Sequence, residues 1–573
     1  MADDKSMDDN TLLVAIGAGF VLGVSSIVLA AAPLAALVTG NGWATSTKGL
    51  PETVLRTVSQ GPGSVYSPAP PTWAFWLVVG LLLVLLITVV VLLLRAFGGK
   101  KRDLGGAKWG GAATEKTLSV DPDPVNRPDQ ITAGRGQITG KILAAAPNIS
   151  ATVFGVPGST KTTGLVLGNA AEWQGPLVLT TVKASDLDAV YESRLHLGPV
   201  HVIAPAGIPG RKTARWSPVD YAKDPKSADR MAEWLANAST SGHDKRAAPW
   251  IDQARGILKG LLLAANISGG GINAFREWLA LGKDAVEHVK AVLEPQYPDV
   301  ALDYSRPWVT LHDDGIGSIQ FTCNVIASVY RDEEVRATAA GTDFTIEQLL
   351  DDNATVCLVA APSDAERYAP LLTAIIASII HGAEQRYLRT GRPLSPGLGV
   401  MVDEAGNMLR YPQLPGVLTT GRGMGITVLT VWHDLSQLRT RFGHDAANTV
   451  LSASGLRMLL PGCGDPETLK HFSSIYGRTY VERTTTSTGR GQSSESKTAV
   501  ETDLAPIHEL MQLEDYTAIA QYSNLPPVKV NMRLTWRDKD LIAWLDRLAP
   551  PRGPSLMKNT GTESYSAEKY AEM

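Results

Sequence analysis

At 573 residues the chain is longer than one ordinary domain, and its length predicts about three or four folded units. Charged residues make up only 19% of the chain and its mean hydropathy is close to zero, a composition that favours membrane segments over a wholly soluble protein. The formal net charge of −4 excludes a generally basic nucleic-acid binder, so a DNA partner would have to meet a local basic surface.

The first apolar stretch covers residues 11–38. It is almost free of charge and long enough to cross a hydrocarbon core of about 30 Å. A signal peptide is the alternative, because residues 30–36 are rich in small side chains. The acidic residues before the stretch and its length favour a retained helix.

The second apolar stretch, residues 73–97, is the most hydrophobic of the chain. Trp73 and Trp76 stand at one end, as in an interfacial aromatic belt, and basic residues follow the other end. The positive-inside rule therefore places residues 98 onward in the cytoplasm. We predict a membrane anchor over residues 1–97 with two transmembrane helices, about 11–38 and 73–97.

Residues 98–145 mix glycine, proline and charge, and we expect a connecting and sheet-edge segment there. The next stretch, residues 149–169, reads ISATVFGVPGSTKTTGLVLGN. Its buried-strand pattern, glycine-rich turn and following helix are the context of a phosphate-binding P-loop. An ordinary glycine-containing turn between a strand and a helix is the alternative.

The residue types of this loop suit a nucleotide for physical reasons. Glycines let backbone N–H groups approach phosphate oxygens, and the helix N-terminus adds positive potential. Lys161 would reach the β- and γ-phosphates, and the Thr162 hydroxyl would ligate Mg²⁺. Thr160 stands where the usual pattern has glycine. The predicted nucleotide-binding residues are Gly155, Gly158, Ser159, Thr160, Lys161, Thr162 and Thr163.

Short apolar runs then alternate with helical patterns, which predicts an α/β protein with a parallel sheet. Residues 227–340 lack strand signals and predict an all-helical insertion. Residues 484–497 predict a mobile loop or the tip of an extended hairpin. The predicted strands are 177–182, 199–205, 354–360, 397–402, 426–431, 456–460 and 528–536. The predicted divisions are 98–225 and 346–548 for the core, 226–345 for the helical insertion and 549–573 for a disordered tail.

An acidic pair, Asp403 and Glu404, ends the apolar strand 397–402. A strand that delivers Asp at its carboxyl end beside a P-loop can hold Mg²⁺ directly or through water. Glu404, one residue later, is placed to act as a general base on the attacking water. The alternative is a pair that only ends the strand and caps the next element.

The chain resembles the type IV secretion coupling proteins, the TraG/TraD-like conjugative DNA-transfer ATPases. The resemblance covers most of the chain, from the first apolar stretch to about residue 536. It is carried by GGAKWG (105–110), LVLTTVKASDL (177–187), RWSPVD (215–220), WIDQARGILKGLLLAA (250–265) and, above all, the block from MVDEAGNM to LRTRFG (401–443). It implies a RecA-like P-loop NTPase core with an inserted all-helical domain, preceded by two transmembrane helices.

The resemblance also implies roles for individual residues. Lys161 and Thr162 match the Walker A pair, while Asp403 and Glu404 match Walker B, with Asp403 and Thr162 at the metal. Arg422 matches the arginine finger that acts on a neighbouring subunit's nucleotide; without the resemblance it reads as a solvated surface charge. His433 stands where the family usually has a glutamine that senses the γ-phosphate. Glu404, Arg422 and His433 are therefore the predicted catalytic residues.

The implied cofactors are ATP and Mg²⁺. The implied partners are further copies of the chain in a hexamer, type IV secretion channel components, a relaxase with its DNA, and the cell (inner) membrane, with most of the chain cytoplasmic. The predicted function is a membrane-anchored ATPase that couples a nucleoprotein substrate to the channel and drives conjugative DNA transfer. A coupling protein that exports protein effectors, a septal chromosome translocase and a non-hydrolysing nucleotide-binding scaffold remain as alternatives.

Overall fold

The computed structural model describes residues 25–97, 105–239, 248–489 and 492–548. The chain divides into two compact units, with the division between Leu104 and Gly105. The described part of the amino-terminal unit contains three α-helices and one two-stranded antiparallel sheet. Its elements are α1 (Ser25–Val38), β1 (Thr45–Ser46), α2 (Leu50–Gln60), β2 (Tyr66–Ser67) and α3 (Thr72–Phe97).

Helix α3 confirms the predicted helix at residues 73–97. Its span Thr72–Val89 is long and apolar enough to cross a membrane, and only 17% of that span is buried inside the protein. Large apolar side chains such as Leu81, Val84 and Leu85 are about 60% exposed, a surface that favours an apolar surrounding. Among the described residues, no second helix is both long and apolar enough for a span. The predicted helix 11–38 is described only as α1, which is shorter than a span, and its residues 11–24 lie outside the described part.

The carboxy-terminal unit is built on one large sheet with helices on both faces. Its strands are β3 (Thr132–Gly136), β4 (Ile142–Ala144), β5 (Ala151–Phe154), β6 (Leu177–Thr181), β7 (Val200–Ile203), β8 (Thr355–Val359), β9 (Leu398–Val402), β10 (Ile426–Trp432), β11 (Leu456–Leu459), β12 (Arg478–Gly489), β13 (Gln492–Asp503), β14 (Thr517–Tyr522) and β15 (Val528–Asn531). The helices before β8 are α4 (Ala112–Leu118), α5 (Leu167–Glu172), α6 (Ala184–Leu195), α7 (Pro218–Tyr221), α8 (Pro225–Ala238), α9 (Ala248–Ile267), α10 (Gly271–Leu281), α11 (Val286–Leu293), α12 (Pro298–Thr310), α13 (Asp313–Ile326), α14 (Glu333–Thr338) and α15 (Ile346–Asp351). The helices after β8 are α16 (Pro362–Thr390), α17 (Ala405–Met408), α18 (Leu414–Thr420), α19 (Leu435–Phe442), α20 (His444–Ala453), α21 (Pro466–Tyr476), α22 (Ile507–Met511) and α23 (Lys539–Leu548).

The strand order in the large sheet is β4-β3-β15-β14-β11-β5-β10-β9-β6-β8-β7. From β11 to β7 all neighbours run parallel, which confirms the predicted parallel sheet for that part. The prediction was wrong for the other part, because β4, β3, β15 and β14 pair antiparallel. Short connections after β3 and β14 turn the chain straight back, whereas parallel neighbours need longer crossovers.

The central strands are buried on both faces, as a parallel sheet requires. All residues of β5, β6, β9 and β10 are buried. Two apolar clusters cover the two faces, one including Phe154 and the other Val153 from the same strand. The late strand predicted at 528–536 ends at Asn531.

Between β7 and β8 the described elements are helices, as predicted for residues 227–340. Helix α9 packs one apolar stripe into the core, formed by Ile251, Ala254, Ile257, Leu258 and Leu261. Trp250, near the start of the helix, is 38% exposed.

Strands β12 and β13 form a separate antiparallel hairpin of 12 residues on each side. This confirms the hairpin interpretation of residues 484–497, although the connecting residues 490–491 lie outside the described part. The predicted disordered tail, 549–573, also lies outside it. The predicted division into core segments and helical insertion stays a prediction.

Candidate active site

The P-loop follows β5 near the middle of the sheet. The turn of residues 155–160 leads into a π-helical turn, Thr162–Val166, that continues into α5. Gly155 is buried at the end of the strand, and Gly158 has φ 88°, a conformation that L side chains rarely adopt. Ser159 is buried, and its hydroxyl donates to the Val156 carbonyl at 2.7 Å, which closes the turn.

Thr160 replaces the glycine of the usual P-loop pattern at a position where the backbone conformation favours glycine. Its φ is 57°, in the left-handed region, where a β-branched residue is strained. The Thr160 hydroxyl donates to the Ser159 carbonyl at 2.7 Å and lies 3.5 Å from the Met532 sulfur. The loop therefore keeps its shape despite this residue, with support from β15 and the segment after it.

The acidic pair lies directly opposite the P-loop. The Thr162 hydroxyl donates to a carboxylate oxygen of Asp403 at 2.5 Å. The Thr180 hydroxyl, on the adjacent strand β6, donates to the backbone carbonyl of Asp403 at 2.9 Å. Asp403 has no exposed surface, and Thr163, in the same helical turn as Thr162, is half-buried. The structure thus brings together the two halves of the predicted metal site.

Glu404 contacts a basic residue of the P-loop and another that follows β10. Its carboxylate forms an ion pair with the Lys161 ammonium, and its other oxygen lies 2.7 Å from His433 Nε2. The Lys161 side chain is 7% exposed, and its ammonium nitrogen makes no hydrogen bond of good geometry within the described residues. An anionic phosphate at this position would therefore compete with Glu404 for a buried cation that is only partly satisfied.

His433 follows β10 and reaches the same cluster. Its backbone N–H donates to the side-chain oxygen of Gln437 at 3.0 Å, and its ring is 27% exposed. The side chain of Gln437 thus anchors the turn after β10 instead of touching Lys161 or Asp403. The predicted replacement of the sensor glutamine by His433 places an imidazole in contact with Glu404.

The two carboxyl groups have pKa values shifted in opposite directions. Burial raises the pKa of Asp403 to about 6, and the Thr162 hydrogen bond and the Lys161 charge offset only part of that rise. Burial also acts to raise the pKa of Glu404, but its close contacts with His433 and Lys161 outweigh it and lower that pKa to about 2. At neutral pH Glu404 is therefore fully ionised within this arrangement.

The chemistry of these side chains fits magnesium. Thr162 and Asp403 offer a hydroxyl and a carboxylate, which are oxygen ligands of the kind Mg²⁺ prefers. Within the described ranges, no cluster of three or more His, Cys, Asp or Glu side chains could hold an ion alone. The coordination would therefore be completed by water and by oxygens of a bound phosphate, which is usual for Mg²⁺.

Arg422 is not part of this cluster. It lies in a short 3₁₀ turn, Gly421–Met424, before β10, and it is exposed. Its side chain forms no ion pair or hydrogen bond with any described residue. Its predicted action on a neighbouring subunit's nucleotide stays a prediction.

Two contacts of the site were not predicted from the sequence. Thr180 was read only as part of an apolar strand, although a hydroxyl at the carboxyl end of a buried strand signals a polar contact. Met532 was read as part of a late strand, and nothing in its sequence context indicates proximity to the P-loop.

Comparison with known proteins gives results consistent with this geometry. A family described as type IV secretory system conjugative DNA transfer matches residues 101–551. The conjugal transfer protein TraG of Escherichia coli is 24% identical over 57% of this chain and 55% of its own length. TraG of Rhizobium radiobacter is 23% identical over 68% of this chain and 62% of its own length. The matched region thus spans a little over half of each of these relatives.

Solved structures show the same fold. The unbound bacterial conjugative coupling protein TrwBdeltaN70 superposes with a TM-score of 0.57 at 18% identity, over 76% of this chain and 94% of that one. Plasmid coupling protein TrwB in complex with ADP and Mg²⁺ gives a TM-score of 0.56 at 18% identity, over 76% of this chain and 95% of that one. The predicted RecA-like P-loop core is thereby confirmed as a fold.

The family match covers most of the carboxy-terminal unit, including the P-loop, the acidic pair and the helical region. The predicted resemblance is confirmed: the chain belongs to the type IV secretory system conjugative DNA-transfer family, the coupling proteins of conjugation.

Proposed function

We propose that this protein is a membrane-anchored ATPase that couples a DNA nucleoprotein substrate to a type IV secretion channel and drives conjugative DNA transfer. One observation supports it most strongly. Lys161 and Thr162 of the P-loop contact Glu404 and Asp403, although the two pairs are separated by more than 200 residues. A strand-end Asp-Glu pair that only capped the next element would not need to meet a P-loop lysine.

Each residue of the site has its own role in hydrolysis. The backbone of residues 155–160 and the Lys161 ammonium hold the phosphates, and Thr162 with Asp403 holds Mg²⁺. Bound MgATP supplies the phosphoanhydride that is cleaved. Glu404 orients the attacking water and accepts its proton after a bound phosphate has replaced Glu404 as the partner of Lys161. His433 holds Glu404 in place through the 2.7 Å contact.

The assembly is part of the proposal. An exposed Arg422 without a partner among the described residues suits a role on the nucleotide of the next subunit, in a homo-oligomer that we propose to be a hexamer. The apolar, exposed α3, with a second helix over residues 11–38, would anchor the protein in the inner membrane, with most of the chain cytoplasmic. The partners would then be channel components, and a relaxase with its DNA.

One alternative has specific support, and a second shares the contacts of the proposal. The strained Thr160 and the unusual His433 favour a scaffold that binds nucleotide without turnover. A coupling protein for protein effectors would share each of the contacts above, and crosslinking to DNA or to protein cargo separates it from the proposal.

The test is the ATPase rate of the full-length protein in detergent or vesicles, with and without single-stranded and double-stranded DNA. We expect hydrolysis that DNA stimulates and that Lys161→Ala abolishes, because that change removes the cation that holds the phosphates. Lys183→Ala, an exposed lysine after the neighbouring strand β6, is the control and should retain the rate. Absent activity in the wild type, or equal rates in wild type and Lys161→Ala, would contradict the proposal.

A further inference from the structure

Helix α2 of the amino-terminal unit turns most of its apolar side away from the protein. Its sequence, LPETVLRTVSQ, places Val54, Leu55 and Val58 on one side of the helix. A surface helix of a globular protein normally packs such a side into the core. In α2 the Leu55 and Val58 side chains are instead 73% and 60% exposed, and Val54 is partly buried against the core. The apolar side of α2 therefore lacks a partner in the described part of the chain.

The side of α2 that faces the protein carries threonines. Thr53 and Thr57 have no exposed surface. The Thr53 hydroxyl lies 2.6 Å from the Ser46 hydroxyl of β1, and the Thr57 hydroxyl donates to the Thr53 carbonyl at 2.6 Å. These hydrogen bonds satisfy the buried hydroxyls, so a rotation of the helix that buried Leu55 and Val58 would break a contact to β1.

Exposed tryptophans lie at the same end of the amino-terminal unit. Strands β1 and β2 pair Thr45 with Ser67, and α2 connects these two strands. Trp43 precedes β1 by two residues, Trp73 is the second residue of α3, and both side chains are exposed. Tryptophan is enriched where a protein crosses the boundary between membrane and water. This end of the unit thus has the composition of an interfacial region.

The exposed side of α2 is too small for a stable protein–protein interface. A helix of 11 residues is about 16 Å long and about 10 Å wide, so one side offers about 160 Å². Each partner of a stable interface contributes about 800 Å². The two charged side chains of α2, Glu52 and Arg56, pair with each other at 2.7 Å and leave no net charge for a charged partner. A lipid surface needs no such area, because α3 would already hold the unit at the bilayer.

We propose that α2 lies in the plane of the membrane interface, with Leu55 and Val58 at the boundary between lipid head groups and acyl chains. This contact continues the exposed apolar surface of α3, where Leu81 and Leu85 are also exposed. The segment between the two apolar stretches would then fix the depth of the anchor from outside the hydrocarbon core. The inference rests on the proposed function in one respect, because it requires α3 to span the membrane.

The test attaches the fluorophore NBD to single added cysteines in the full-length protein, reconstituted in phosphatidylcholine vesicles. The native cysteines Cys323, Cys357 and Cys463 are buried, so the wild type treated with the same reagent gives the background. Three quenchers report the depth of the label. Lipids with a nitroxide near the head group quench at the interface, lipids with a nitroxide near the chain end quench at the bilayer centre, and iodide quenches in water.

We expect the labels on Leu55→Cys and Val58→Cys to be quenched at least about 2-fold more strongly by the head-group nitroxide than by iodide, since an interfacial helix buries its apolar side in lipid. Gln60→Cys is the matched control, because Gln60 is exposed on the opposite side of the same helix, and iodide should quench its label most. Leu85→Cys, in the middle of α3, should be quenched most by the chain-end nitroxide.

The outcomes separate this inference from the proposed function. Iodide quenching as strong in Leu55→Cys as in Gln60→Cys would overturn the interfacial position of α2. A Leu55→Cys label shielded from iodide and from both lipids would overturn it too, because protein, from this chain or another, then covers the helix. If iodide also quenches the Leu85→Cys label most, α3 does not span the bilayer, and the membrane anchor of the proposed function fails with this inference.

Lipid composition gives an independent readout. Because the charges of α2 cancel, replacing part of the phosphatidylcholine by anionic phosphatidylglycerol should leave the quenching of the Leu55→Cys and Val58→Cys labels unchanged. Lipid quenching that requires the anionic lipid would overturn an apolar contact.

Discussion

The parallel and the antiparallel part of the large sheet differ in where their polar side chains lie. In the parallel part, from β11 to β7, the polar groups of the site lie at the carboxyl ends of β5, β9 and β10, and these three strands are buried along their whole length. In the antiparallel part, charged side chains are buried beside the strands, as in the cluster of Arg127, Glu172 and Arg533. The parallel part places the polar groups of the site at one edge of the sheet. The antiparallel part supports the P-loop helix from the side.

Sequence reasoning succeeded in the parallel part for a physical reason. Strands buried on both faces must be continuously apolar, so each was visible as a short hydrophobic run. The Asp403-Glu404 pair stood out because it ended such a run. The contact of Lys161 with Glu404 followed, since parallel strands place their carboxyl ends at one edge.

The antiparallel part was poorly predicted because its signals are local and weak. Strand β3 reads Thr-Ala-Gly-Arg-Gly, and two glycines in five residues indicate a turn more than a strand. Strand β14 was not predicted at all, and the pairing of Arg533 with Glu172 joins residues 361 positions apart. Long-range ion pairs leave no periodic pattern, so the cluster of Arg127, Glu172 and Arg533 was not visible from the sequence.

The largest expected effect concerns Arg422, which lies before the amino end of β10 in the parallel part. Arg422→Ala should lower the ATPase rate by about 10³-fold or more while ATP affinity stays near that of the wild type, if the residue acts on the transferring phosphoryl group. Arg392→Ala, another exposed arginine, should retain the rate. Steady-state hydrolysis and equilibrium binding on the same samples measure both quantities.

Mixing variants tests whether Arg422 acts between subunits. A mixture of Arg422→Ala and Lys161→Ala proteins should recover part of the lost rate, because some interfaces then combine an intact P-loop with an intact arginine. A mixture as inactive as either variant would place Arg422 outside the neighbouring site.

In the antiparallel part, the expected effect of a substitution is a lower free energy of unfolding. Glu172 is 2% exposed and accepts hydrogen bonds from Arg127 at 2.6 Å and from Arg533 at 2.7 Å. Glu172→Gln removes the carboxylate that pairs with both buried guanidinium groups and leaves Arg533 only its longer pair with Asp538 at 3.4 Å. This change should lower the free energy of unfolding by about 3–5 kcal/mol. Urea unfolding followed by tryptophan fluorescence measures the change.

A surface ion pair serves as the control for that substitution. Glu347 is about half exposed and pairs with Arg389, so Glu347→Gln should cost about 0–1 kcal/mol. Similar unfolding midpoints for Glu172→Gln and Glu347→Gln would contradict a supporting role for the buried cluster.

The smallest expected effect is at the junction of the two parts. Thr160→Gly removes a β-branched side chain at φ 57° and should raise the free energy of unfolding by about 1 kcal/mol, since glycine adopts this conformation without strain. Thr163→Gly, in the helical turn that follows, should instead lower it by about 0.3 kcal/mol. If both changes destabilise the protein equally, the loop at Thr160 is not strained.

The central claim is that the P-loop and the acidic pair act on one nucleotide, and Glu404→Gln tests it most directly. This change keeps the shape of the side chain but removes the carboxylate that pairs with Lys161 and His433. We expect the variant to bind MgATP at least as tightly as the wild type, because the phosphates no longer compete with a carboxylate for Lys161, and to hydrolyse it about 10²–10⁴-fold more slowly. A variant that hydrolyses MgATP at the wild-type rate would contradict the account.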